Sequence, residues 1–201
     1  VTIMILVNLF LRCFFLSLAT GVAILCLHVD VNILKNSLSE ISLTEIVQES
    51  ILFLIVLIHL VAARKQPEMR QCNVLIAGFF MAMLIRELDG IFDLIHHGSW
   101  VWFALIVSII AVAYASRQPQ RVLNQLTLYT AKPAFGMMLS GLLATLVFSR
   151  LFGMSLLWHS LLQDGYVREV KNMVEEGTEL FGYILCLAAS VEIFRQPKVN
   201  H

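Results

Sequence analysis

Charge is what this 201-residue chain has least of. Only 14% of its residues are Asp, Glu, Lys or Arg, against about a quarter in soluble domains, while 59% are hydrophobic and the mean hydropathy is +0.82. That composition excludes a soluble globular protein and identifies an integral membrane protein. Prolines are equally scarce, and all four (Pro67, Pro119, Pro133 and Pro197) fall at connections, outside or at the very edge of the apolar runs. No run is therefore interrupted by proline, which counts against the broken helices of many secondary transporters. The four cysteines, Cys13, Cys26, Cys72 and Cys186, form no CxxC or Cys/His pattern, so they read as packing residues. HExxH, HxxxH and GxSxG are absent as well, which removes the familiar hydrolase signatures.

What is present is apolar sequence in lengths that match a bilayer. A hydrocarbon core of about 30 Å takes about 20 helical residues, and six runs qualify: 4–29, 42–63, 73–97, 100–116, 133–159 and 169–194. The expected fold is an all-α integral membrane protein, one bundle of about six transmembrane helices forming a single polytopic domain over residues 1–201. The first run is too long for a signal h-region, carries Arg12, and ends LCLHVD without a small-x-small site, so it reads as a span and not as a cleaved signal. The start on Val1 is read as a missing initiator methionine or more. Ser42-Leu43-Thr44-Glu45 has capping-box spacing and marks the start of the second span. In 118–132, Val122, Leu123, Leu126 and Tyr129 recur at helical spacing, which predicts a helix lying in the inner interface. Trp100, Trp102 and Trp158 read as anchors at the outer headgroup level.

Charges sort by connection. Arg64, Lys65, Arg70, Arg117, Arg121, Lys132, Arg195 and Lys198 fall on one side, Lys35, Arg168 and Lys171 on the other. The positive-inside rule makes the first side cytoplasmic and both termini inside, N-in and C-in. The opposite side is acidic, with Asp30, Glu40, Glu45, Asp164 and Glu169 in connections or helix starts, and an acidic vestibule concentrates cations and protons.

Against this apolar background, charges inside the spans are the functional signal, because a charge in hydrocarbon costs about 2.5–3.5 kcal/mol on insertion scales and pairs with another or lines a wet cavity. The expected intramembrane polar cluster is Glu49, Arg86, Glu87, Asp89, Asp93, Arg150, Glu175, Glu176 and Glu179. In MLIRELDGIFDLIHHGSW, Arg86, Asp89, Asp93 and His96 or His97 share one helical face, with Arg86 about 20 Å from the inner boundary by helix rise. In VREVKNMVEEGTELFGY, Arg168, Asn172, Glu175 or Glu176, Glu179 and Tyr183 do the same, and Gly177 and Gly182 allow a second backbone close. Three carboxylates so near one another need neutralisation by basic groups, a metal or a bound proton. His59 lies nearer the inner end, about 15 Å from Glu49 by helix rise, and reads as a hydrogen-bonded interface residue, not a ligand.

Three functions follow from this pattern. The first is proton or metal-cation handling (transport, permeation or sensing), with the glutamates as carriers and Arg86 and Arg150 setting their protonation. The second is an accessory, scaffold or sensor subunit whose polar network fixes helix register. The third is a membrane-embedded metal-dependent hydrolase acting on a lipid, with Asp93, His96, His97, His159, Glu175, Glu176 and Glu179 as the pool of ligands for a divalent metal such as zinc. The expected partners are the lipid bilayer, a cation or proton, and a membrane protein or second copy of the chain, with no nucleic acid. The expected location is a bacterial inner membrane.

Overall fold

The computed structural model describes residues 2–34 and 42–195. Lys35, Glu40, Pro197 and Lys198, named above for the charge pattern and the connections, lie outside the described residues. Every regular element among the described residues is helical. In chain order these are α1 (Thr2–Val29), which runs into a π-turn at Asp30–Leu34, α2 (Leu43–Lys65), α3 (Arg70–Glu87) with a leading 3₁₀ turn at Pro67–Met69, the short α4 (Asp89–Asp93), α5 (Trp100–Ser116) and α6 (Pro119–Thr130). They are followed by α7 (Phe135–Leu143), a second π-turn (Ala144–Phe148), α8 (Ser149–Phe152), α9 (Ser155–Leu162), a 3₁₀ turn (Gln163–Gly165) and α10 (Arg168–Arg195).

Five of these helical stretches are long and apolar enough to cross a membrane: Leu9–Leu34, Leu43–Lys65, Pro67–Glu87, Phe135–Phe152 and Arg168–Arg195. A sixth exists if α5 and α6, which meet at 103°, are taken as one broken span. Pro119 sits at that bend, at the first turn of α6 where its missing N–H costs nothing. Large apolar side chains along α1 point outward, among them Ile3, Phe10, Phe15 and Ile24. That is the surface a lipid solvent requires and water would penalise.

The third and fifth expected spans stop short of their expected ends. The third, expected over 73–97, runs from Pro67 to Glu87 instead. Leu88 leaves helical geometry, and Asp89 and Gly90, both poor helix formers, follow it. Asp89, Asp93, His96 and His97 therefore do not continue the Arg86 face as one helix; they belong to α4 and the turn after it. The fifth, expected over 133–159, ends at Phe152. Gly153 and the extended Met154 break it and send α9 off separately.

The chain forms two compact units, one built from residues 1–47 and 140–188, the other from 48–139 and 189–201. In the first, Asp30 is a capping residue. It is fully buried, accepting from Leu43 N at 2.7 Å through Oδ1 and from Thr44 N at 2.9 Å and Thr44 Oγ1 at 2.6 Å through Oδ2. A carboxylate on these orphan N–H groups also complements the dipole of α2. The reading of Asp30 as a vestibule acid is thereby corrected, because its carboxylate is fully buried on the start of α2. The capping box is formed as its spacing predicts, with Glu45 N donating to Ser42 Oγ at 3.1 Å and Ser42 N facing Glu45 Oε2 at 3.5 Å.

α7 and its π-turn approach α10 backbone to backbone. A methyl group on Gly141 would lie 2.6 Å from Gly182 O, and one on Gly182 would strike Thr145 Oγ1. Small residues here are a packing requirement. Between α1, the α7 region and α10 runs an open apolar groove of about 730 Å³. Thr20 and Thr178 line it but turn their hydroxyls back to Leu16 O and Val174 O, at 2.9 and 2.7 Å, so only their methyls face it. Trp158, expected as an anchor at the outer headgroup level, is buried in protein and donates Nε1–H to Phe152 O at 2.8 Å. It closes a carbonyl at the end of α8 and so serves the break.

In the second unit α3 packs along α5, closely enough that Gly78 has Ala111 Cβ where its own Cβ would be. The 118–132 segment is helical as its spacing predicts, but α6 docks on protein, burying Val122, Gln125 and Tyr129 and leaving Leu123 58% exposed. Gln125 explains the difference. Its Oε1 accepts from Cys72 N at 2.9 Å, and its Nε2 donates to Glu68 O at 2.6 Å and Gln71 Oε1 at 2.9 Å. A polar residue on an apolar-looking stripe thus satisfies the bare N-terminus of α3. Tyr129 joins Met69, Cys72, Ala134 and Ile193 in the core behind it.

Candidate functional site

In the first unit the in-span charges converge on Arg150. The π-turn Ala144–Phe148 immediately precedes it, and an i→i+5 turn shifts helix register locally. Past that turn, Arg150 Nη1 donates to Glu175 Oε1 at 2.8 Å and Nη2 lies 2.5 Å from Glu179 Oε1. Glu175 and Glu179 stand four residues apart on α10, hence on one face. Lys171, a further turn back, reaches Glu175 Oε2 at 2.5 Å. Ser149 is fully buried and places its Oγ 3.1 Å from Glu179 Oε1 and 2.5 Å from Thr145 O, sharing one proton between them. Gly153 supplies the room, since a methyl there would meet the Glu175 carboxyl at 2.7 Å.

Glu179 is only 1% exposed, whereas the Arg150 side chain remains 38% exposed. The buried carboxylate is thus reached by a cation that is still partly open to its surroundings. Two cations, Arg150 and Lys171, face two carboxylates, Glu175 and Glu179, so the acid cluster is neutralised by basic groups. Sequence reasoning named Arg150, Glu175 and Glu179 but put Lys171 among the loop charges. The i,i+4 spacing of Lys171 and Glu175 was the available signal. Ser149 had none, because a serine beside an arginine does not reveal which way its helix turns. Glu176 is half-buried on the same helix.

The second unit holds the remaining charges. Arg86 Nη1 and Glu87 Oε1 are 3.7 Å apart, Glu49 is half-buried on α2, and Asp89 is exposed. Asp93 accepts from His97 Nδ1 at 2.7 Å and from Gly98 N at 2.8 Å, and His96 Nδ1 donates to His97 O at 2.8 Å. The Gly98 N–H, with the His97 imidazole beside it, holds the Asp93 carboxyl below its ordinary pKa. His159, in the first unit, is exposed and stacks on Tyr166 with ring centroids 3.7 Å apart. Among the described residues no group of three or more His, Cys, Asp or Glu side chains is placed to hold a metal ion.

A separate polar cluster, also in the second unit, surrounds His59. The imidazole is 1% exposed and contacts Asn73 Oδ1 through Nδ1 at 2.9 Å and Ser190 Oγ through Nε2 at 3.3 Å. Asn73 Nδ2 donates to Met69 O at 2.9 Å, which fixes the amide orientation and makes Nδ1 the protonated nitrogen of His59. Nε2 is left as an acceptor. A cavity of about 10 Å³ adjoins the imidazole, lined also by Asn73, Ser190, Tyr129 and Lys132, which is room for about one water. The hydrogen bonds expected of His59 are present, but the ring is buried in protein and not at an interface, and Asn73 and Ser190 are the partners that sequence reasoning missed.

Compared with known proteins, the chain matches no family model, no curated protein and no solved structure.

Proposed function

We propose that the chain is a multi-pass membrane protein that handles protons at the Arg150, Glu175, Glu179 and Lys171 site. The observation that carries this reading is the burial of Glu179 within an apolar helix, its carboxylate held by Arg150 at 2.5 Å and by Ser149 at 3.1 Å. A carboxylate in that position costs desolvation, and its negative charge depends on the guanidinium beside it. When Arg150 swings away, Glu179 takes a proton; when Arg150 returns, the proton leaves. Arg150 is exposed enough to make that movement.

Protons fit this site better than a metal cation. Arg150 and Lys171 already pair with the two carboxylates, and two positive charges beside the site repel a divalent ion. A hydroxyl in contact with the buried carboxylate is a natural proton donor and acceptor.

The positive-inside pattern supports the N-in, C-in orientation, and a bacterial inner membrane is the setting proposed for it. The test is acidification of liposomes carrying the purified protein, followed with a trapped pH-sensitive dye under an imposed potential. Dye response in wild type that is lost in Glu179→Gln supports the reading. Equal response in protein-free and protein-loaded liposomes defeats it.

A further inference from the structure

The apolar groove of the first unit is confined to one half of each helix that lines it. Along α1 it starts at Thr20, close to the middle of the Leu9–Leu34 span, and ends at Asn32, close to the end of that span. Along α10 it runs from Phe181, at the middle of the Arg168–Arg195 span, to Met173, toward its start. Ala144 and Phe148 repeat the pattern, from the middle of the Phe135–Phe152 span toward its end. From Thr20 to Val31 the helix rise amounts to about 16 Å, and one leaflet of a hydrocarbon core of about 30 Å is about 15 Å deep. Residues of three spans thus line a slot one leaflet long.

That length selects the occupant. A membrane helix, from a partner or from a second copy of the chain, crosses both leaflets with about 20 residues and would seat only half of itself here. Water finds too few polar partners in the slot. A lipid tail is confined to one leaflet, and a volume of about 730 Å³ lies within the roughly 300–1,000 Å³ of small-molecule sites.

The two ends of the groove also differ in polarity. Thr20 and Thr178 turn their hydroxyls to their own helices, which leaves His28 and Asn32, both exposed and both toward the interface end, as its polar lining. Asn32 Nδ2 donates to His28 O at 3.2 Å and to His28 Nδ1 at 3.1 Å. The carbonyl fixes the amide orientation, so Nδ1 is an acceptor and the neutral imidazole carries its proton on Nε2. An N–H of this kind suits an ester carbonyl or a phosphate oxygen. Among the described residues no Asp, Glu, Lys or Arg lines the groove.

We propose that this groove binds one acyl chain of a bilayer phospholipid, with the tail running to the midplane and the glycerol ester beside His28 and Asn32. With the N-terminus inside, the leaflet concerned is the outer one. Neither Arg150 nor Glu179 lines the groove, so lipid binding and proton exchange are separate properties of the chain.

The test is titration of the delipidated full chain in detergent with dioleoyl phosphatidylcholine, counting bound lipid per chain by native mass spectrometry. This headgroup is zwitterionic, so the basic connections do not retain it. The expected result is one tightly bound phospholipid per wild-type chain, none in the double variant Thr20→Phe with Thr178→Phe, and binding weakened about fivefold in His28→Leu, as for one lost hydrogen bond. Ile109→Phe, at an exposed position of α5, should bind as wild type does, and helical circular dichroism should be unchanged in every variant. His28→Leu adds no bulk and reads the same site if the two phenyl rings disturb packing. No discrete phospholipid on wild type overturns the proposal. So does binding that survives the double variant, or a His28→Leu affinity equal to wild type. A lipid-free wild-type dimer that the double variant converts to monomer overturns it as well, and makes a second copy of the chain the occupant.

Discussion

Arg150 Nη2 stands 2.5 Å from Oε1 of Glu179, a carboxylate 1% exposed on a helix long and apolar enough to cross a membrane. Removing either partner leaves the other in a poor environment, but the two losses are unequal. Arg150→Ala strands a buried negative charge and also frees Glu175 from its 2.8 Å bond. About 3 kcal/mol of stability should be lost, the low end for a broken buried pair because the guanidinium is partly exposed. Glu179→Gln keeps shape and hydrogen bonding and should cost less than half of that. Thermal unfolding in detergent checks both, and equal losses would mean that Glu179 carries no charge that Arg150 has to neutralise.

Glycine positions on α10 give a second contrast. A methyl at Gly182 meets Thr145 Oγ1 and Gly141 O, a side-chain atom and a backbone atom of a packed neighbour. Gly182→Ala should therefore destabilise by about 1–3 kcal/mol. At Gly177 the obstacle is Leu27 Cδ1 at 2.7 Å, the end of a flexible side chain, and alanine gains about 1 kcal/mol of helix propensity. Gly177→Ala should be neutral within about 0.5 kcal/mol, as unfolding midpoints of the two variants would show.

Lys132 provides a pH prediction. Burial lowers its pKa from the ordinary 10.5, so in alkaline solution the folded chain releases this proton before the unfolded chain does. The unfolded state then binds more protons, and stability attributable to Lys132 rises with pH from the lowered folded value up to 10.5. The difference in unfolding midpoint between wild type and Lys132→Met should change in favour of wild type across that interval. A difference that stays flat would contradict the burial of the ammonium.

The helical class and most spans were legible because apolar length is a strong signal in a chain with so little charge. The ends of the third and fifth spans were not. Hydropathy continues past Leu88 and Gly153, whereas the helix stops where Asp89-Gly90 and Gly153-Met154 alter the backbone. The Arg150 site was half legible. Charges inside apolar runs pointed to Arg150, Glu175 and Glu179, but the contributions of Ser149 and Thr145 depend on a π-turn that leaves no periodic mark. Asp30, Gln125 and Asn73 illustrate the same limit. Each is a polar residue whose job is to satisfy backbone or ring atoms of a distant element, and only the tertiary fold says which.

The most direct measurement of the central claim is the protonation of Glu179 itself, by infrared difference spectroscopy of the protein in liposomes between acidic and neutral pH. A carboxylic C=O band should appear on acidification in wild type, vanish in Glu179→Gln, and persist in Glu49→Gln. A spectrum without that band, or one unchanged by Glu179→Gln, would contradict proton exchange at this site.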